Sequence, residues 1–266
     1  MERVIYVALF TATIHMIDTL SYSVRLAGVR TRRLALALSL FNIIVLISRT
    51  ANMIQAPLLG SIVDKAISKG EIKELLHSFR IIIFSATLGS LLGAALIPSF
   101  IEIFSKGIYA LEKTGSIPKL LVKIIFNKPV KQVKNSLKAP DLNKIRKISK
   151  TGISPFFLIF NLFITSISTI GVLAAIYAGA LLPEYRITAS QLSGVINGTA
   201  TILLAIIVDP QAALITDQAL QGVRSKQEVT SMVFFLVGGK IIGTLLSQVI
   251  FMPASEVVLW ITRKLI

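Results

Sequence analysis

Six long apolar runs separated by polar, mostly basic segments set the plan of the chain. They cover roughly 4–24, 34–59, 79–105, 153–182, 190–214 and 229–252, the last continuing past Pro253 toward Trp260. Each can cross the hydrocarbon core of a bilayer as a helix, for which about 20 apolar residues suffice. The pattern predicts an all-α polytopic membrane protein with six transmembrane helices. Span 1 is the weakest, because His15, Asp18, Thr19 and Ser21 interrupt it.

A doubling lies inside the pattern. Ser85–Glu102 and Gly239–Glu256 align 154 positions apart, so that Ser85, Gly89 and Gly93 fall on Gly239, Gly243 and Ser247. Each copy is a ladder of small residues at every fourth position, the spacing that lets membrane helices approach closely. Glu102 falls on Glu256, and weaker echoes pair Leu9-Phe10 with Leu162-Phe163 and Gln55-Ala56 with Gln211-Ala212. The expected organisation is a three-helix repeat over 1–105, a basic link over 106–150 and a second repeat over 151–266. Three is an odd number, so the second repeat enters the membrane in the opposite sense. Inverted-topology repeats are a recurrent transporter plan, with the site between the halves.

Charge then orients the chain. The links 25–33, 106–150 and 215–228 carry eighteen of the 28 Lys and Arg residues, against eight at the other side. Positive loops stay inside, so those links are expected to be cytoplasmic and both termini extracytoplasmic. A net charge of +15 points to nucleic acid in a soluble chain. Here the cations gather between apolar spans, and anionic membrane lipid is the expected partner instead. There is no cysteine and there are only two histidines, His15 and His77, so neither a metal nor another cofactor is expected. The N-terminal run lacks a small-x-small cleavage site and reads as a retained helix. No phosphate loop, nucleophile set or paired-carboxylate cluster appears, and no enzyme is expected.

Ionisable groups inside spans are costly and mark functional positions. Arg49 lies about fifteen residues, or roughly 22 Å, into span 2. With Asn52 and Gln55 it makes a polar strip, and Pro57 follows and interrupts the hydrogen-bond ladder. Lys240 sits mid-span behind Gly238-Gly239, where glycine admits a ligand or another backbone. Arg49, Lys240, Asn52, Gln55 and Arg25 are the candidate substrate-binding residues. Asp18 and His15, three apart on one helix face, and Asp209 beside Pro210 are the candidate counter-ions or proton relay. Asp209 is expected to pair with Arg49 or Lys240, and Glu102 with Lys106 four residues on. The piece Ile117–Phe126 is amphipathic and suited to the inner leaflet.

The run MERVIYVALFTATIHMIDTLSYSVRLAGVRTRRLALALSLFN, followed by LISRTANMIQAPLLGSIVD, resembles the Amj family, the alternate lipid II flippases of Bacillus and its relatives. The resemblance extends over the whole chain. It implies movement of undecaprenyl-pyrophosphate-linked peptidoglycan precursor across the cytoplasmic membrane, and it assigns no functional residues. A pyrophosphate suits intramembrane Arg49 and Lys240. The head group is wider than one helix, so a homodimer is expected as the working unit. Two other classes stay open on the residues: a secondary transporter of a small anionic solute, and a membrane scaffold without transport.

Overall fold

The computed structural model describes residues 2–127, 135–139, 148 and 152–266. Much of the basic link 106–150 therefore lies outside the described residues. The elements are α1 (Glu2–Ser21), α2 (Ser23–Thr31), α3 (Leu34–Lys69), α4 (Ile72–Thr114), α5 (Ile117–Asn127) and α6 (Pro155–Leu181). After a short 3₁₀ turn, Pro183–Tyr185, come α7 (Arg186–Leu203), a π-turn (Leu204–Val208), α8 (Asp209–Leu220) and α9 (Lys226–Leu265). All described regular structure is helical. Six helical segments are long and apolar enough to cross a membrane: α1–α2, α3, α4, α6, the α7–α8 run and α9. The protein is a multi-pass membrane protein.

The helices run past the apolar stretches that mark them. α3, α4 and α9 have 36, 43 and 40 residues, about 54, 65 and 60 Å at 1.5 Å per residue. Pro57, Pro98 and Pro253 lie inside them, and α3 continues past Pro57 to Lys69. Packed neighbours can re-satisfy the carbonyl that a membrane proline frees. The expected link 25–33 is also corrected, since most of it is the helix α2. Its apolar positions Val24, Ala27 and Val29 are buried, while Arg30 is exposed and Arg25 is half-buried. Arg32 closes α2 in the left-handed conformation, φ 56°.

Span 1 breaks where its polar residues cluster. Tyr22 stands in a turn between α1 and α2. Around it the hydroxyls of Thr19 and Ser21 donate to the carbonyls of His15 (2.7 Å) and Asp18 (2.6 Å), offering the backbone an alternative to its helical ladder. At the start of α9, Ser225 and Glu228 form a capping box.

Two tight helix pairs make the scaffold, α1 with α4 and α6 with α9. A Cβ at Gly89 would fall on the backbone of Ala12, and one at Gly93 would lie 2.7 Å from the carbonyl oxygen of Met16. On the other pair, a Cβ at Gly243 would lie 2.9 Å from the carbonyl oxygen of Leu162. Both ladders are thus used within one chain. Gly239 makes room for the side chain of Asn161, whose Nδ2 donates to the Leu236 carbonyl, rather than for a ligand. α4 also packs on α9. At one end of the bundle Phe79, Tyr177 and Phe251 form a buried aromatic trio with centroids 5.5–6.1 Å apart. Beside it the Arg80 guanidinium donates to the Gln248 carbonyl, and Gln248 Nε2 returns a bond to the Arg80 carbonyl at 2.8 Å. α3 and the α7–α8 run bury the least of their length.

Candidate functional site

The broken span 1 and the π-turn of span 5 put irregular backbone on neighbouring helices. α2 touches α8, and there Arg25 Nη2 meets Asp209 Oδ1 at 3.2 Å. Discontinuous helices of this kind mark sites in membrane transporters. The Arg25 side chain is 19% exposed and that of Asp209 55%, so the acid looks into an open space. Asp209 therefore pairs with Arg25, and not with Arg49 or Lys240 as expected. Its place directly after the π-turn and at the start of α8 carries it toward α2.

A second polar group lies one helix turn and more above the break, where α1, α3 and α9 converge. Lys240 Nζ stands 3.5 Å from Asp18 Oδ2, with the lysine side chain 10% exposed and the aspartate 37%. Asp18 Oδ1 also accepts a bond from Ser48 Oγ at 3.0 Å. His15 is within electrostatic reach of both Asp18 and Lys240, and its buried Nδ1 has no partner among the described residues. Tyr22 lies within electrostatic reach of Asp18, Arg25 and Asp209, and so links the two groups. Lys240 has three N–H donors and one carboxylate at the long end of ion-pair distance. A buried ammonium so lightly held offers bonds to an anion.

The strip on α3 divides. Gln55 turns inward and donates to Thr11 Oγ1 at 2.7 Å, whereas Arg49 and Asn52 are exposed. Six residues at about 100° each place positions 49 and 55 some 120° apart around the helix, so they cannot share a face. Among the described residues Arg49 makes no hydrogen bond or ion pair.

Further pairs tie the helix ends. Glu102 takes Arg30 at 2.9 Å and Lys138 at 3.1 Å, while Lys106, its expected partner, donates to Ser136. Arg33 meets Glu112 at 2.8 Å. At the opposite end Asp64, on α3, meets Arg186, on α7, at 3.2 Å. Among the described residues no three His, Asp or Glu side chains gather as a metal site would need. Ser48 and Tyr22 were not legible as site residues. The only hint was that both interrupt or border an apolar run.

A model of the Amj family, described as "Alternate to MurJ", matches residues 10–262. The protein named lipid II flippase Amj of Bacillus subtilis (strain 168) is 38% identical over 262 residues, covering 98% of this chain and 97% of that relative. No solved structure matches the chain.

Proposed function

This chain belongs to the Amj family, and on that premise we propose that it moves lipid II from the inner to the outer leaflet of the cytoplasmic membrane. Lipid II is the undecaprenyl-pyrophosphate-linked peptidoglycan precursor. The movement changes no covalent bond in the substrate, so the protein is a transporter and not an enzyme. The observation that carries the reading at residue level is the buried, lightly held ammonium of Lys240 beside Asp18. A pyrophosphate can displace Asp18 from it and take up its remaining donors. Arg49 supplies a second cation, with Asn52 beside it, while Arg25 and Asp209 hold the break at the inner end. Asp18, with His15 behind it, takes back the lysine when the anion leaves. In reconstituted vesicles, Arg49→Ala and Lys240→Ala are each expected to slow lipid II movement at least tenfold with normal expression. Wild-type rates in both would remove them from the site.

The two repeats, 1–105 and 151–266, are read as inverted copies. Support comes from the equivalent use of Gly89 and Gly243, each against the first helix of its own half. The eighteen-to-eight distribution of cations sets the basic link inside and both termini outside. On α5, Lys119 and Lys123 alternate with exposed Leu121, Val122 and Phe126, which suits a helix resting on an anionic inner leaflet. The working unit is a homodimer on the argument of size, since six helices enclose little space beside a disaccharide-peptide head. With both glycine ladders used inside the chain, the dimer contact falls on other faces. Mass measurement in nanodiscs tests it, and a transport-competent monomer would refute it.

A further inference from the structure

Among the described residues three ion pairs join the first half, 1–105, to the second, 151–266. They are Asp18 with Lys240 at 3.5 Å, Arg25 with Asp209 at 3.2 Å and Asp64 with Arg186 at 3.2 Å. The three lie at different depths. Arg25 follows Asp18 by seven residues on α1–α2, about 10 Å toward one end. α3 runs back along α1, since Ser48 bonds to Asp18 and Gln55 to Thr11. Asp64 follows Ser48 by sixteen residues, about 24 Å toward the other end. On the second half, Arg186 and Asp209 stand about 34 Å apart along the α7–α8 run, which matches that separation. The Lys240–Asp18 pair, the least exposed of the three, is therefore flanked by a more exposed pair on either side.

The joints between the halves differ in kind. Where α4 meets α9, Arg80 and Gln248 exchange two hydrogen bonds, and Phe79 and Phe251 are fully buried. That end has one core drawn from both halves, from Val7 and Phe79 to Tyr177 and Phe251. At the Arg25–Asp209 end the first half keeps a core of its own, made by Val24, Ala27, Ala37, Phe104 and Ile108. Among the described residues, Val29 is its one buried side chain in the core of the second half. α2 thus carries both the ion pair and that apolar contact. It stands between two breaks in the helical backbone, the turn at Tyr22 and the left-handed Arg32.

We propose that Arg25–Asp209 and Asp64–Arg186 are gates on either side of the Lys240–Asp18 site, and that they open alternately about the α4–α9 seam. The inference rests on the flippase reading and supplies its moving parts. Rocking of one half against the other around a central site requires breakable contacts at both ends. Exposed ion pairs suit that role, because they contribute little to stability and separate easily. The Arg25 gate rides on α2, whose two breaks let it swing without unwinding α1 or α3. A pyrophosphate entering from that end offers the guanidinium a two-oxygen partner in place of Asp209, so the arriving head releases the gate in front of it. The anion then meets Lys240, and the Asp64–Arg186 pair opens to let it leave.

The chain has no native cysteine, so Ser48→Cys, beside Asp18, reports access to the central site. Its reaction with a charged methanethiosulfonate is measured from each face of the membrane, in right-side-out and inverted vesicles. Asp64→Asn should speed that reaction at least tenfold from the face at the Asp64 end, and Arg25→Gln at least tenfold from the opposite face. Exchanging the partners, Asp64→Arg with Arg186→Asp, should return the rate to that of Ser48→Cys alone. An unchanged rate in either single variant, or equal increases from both faces, would overturn the gates. A second reading comes from cross-linking Arg25→Cys to Asp209→Cys with a cleavable bis-methanethiosulfonate in the otherwise native chain. The cross-link should lower lipid II movement at least tenfold, with recovery on reduction; movement at the native rate with the cross-link formed would also overturn them. Access is read without lipid II, so the two readings fail separately: a wild-type chain that moves no lipid II refutes the flippase reading alone.

Discussion

Removing Asp18 should harm the fold far more than removing its partner, because the two ends of the pair are unequally buried. Lys240 is 10% exposed and Asp18 37%. At 3.5 Å the attraction is about 5 kcal/mol with an effective dielectric constant near 20. Asp18→Asn removes it and leaves an uncompensated buried charge, a change that costs about 3–5 kcal/mol. Lys240→Met leaves an aspartate still bonded to Ser48 at 3.0 Å and open to water, at about 1–2 kcal/mol. The double variant replaces the pair by uncharged groups and should be close to Lys240→Met. For a chain of this size, about 2–4 °C per kcal/mol translates into a drop near 10 °C for Asp18→Asn alone. Thermal unfolding in detergent, followed by tryptophan fluorescence and size exclusion, measures all four proteins. Equal melting points for the two single variants, or strictly additive losses in the double, would show that the pair is not the buried contact described.

Arg49→Lys should transport poorly if planar, two-bonded phosphate contact matters, and equal transport to wild type would reduce the requirement to charge. Gly89→Ala forces α1 off α4, because the obstructing atoms are the backbone of Ala12. A loss of about 1–3 kcal/mol or more is expected, against no loss for Gly60→Ala, and melting curves decide between them. Cysteines at Ser116 and Leu265 should react with an impermeant maleimide from the cytoplasmic and outer side respectively. The reverse pattern in intact cells would overturn the orientation.

The spans were legible because each contains an apolar run longer than a bilayer needs. The glycine ladders were legible because small residues recur there at the four-residue spacing of close helix packing, and a Cβ at Gly89 or Gly243 would meet the backbone of the facing helix within 2.9 Å. α2 was hidden by its own charge. Arg25, Arg30, Arg32 and Arg33 read as a loop, although Val24, Ala27, Gly28 and Thr31, all buried, already carried the i, i+3, i+4, i+7 spacing of one helix face. Ion-pair partners were mostly illegible, since Arg25 finds Asp209 across 184 positions and nothing local announces it. Lys106 was the near neighbour of Glu102, but Arg30 and Lys138 held the geometry. Depth marked Arg49 and Lys240 as charges inside spans, but it could not tell the paired lysine from the unpaired arginine.

The π-turn at Leu204–Val208 has a consequence for how this helix tolerates change in length. A π-turn holds one residue more than the regular turn it replaces, and one residue is about 100° of rotation. Deleting Ala205 would let the segment close as ordinary α-helix and leave everything from Asp209 onward close to its present bearing, about 100° from where an unbroken α-helix of the full sequence would carry it. The turn therefore acts as a phase adjuster that absorbs one residue and keeps the carboxylate on Arg25. A deletion variant that still cross-links cysteines placed at positions 25 and 209 as efficiently as the full-length helix would display it; loss of the cross-link in a folded variant would show that the turn absorbs no residue.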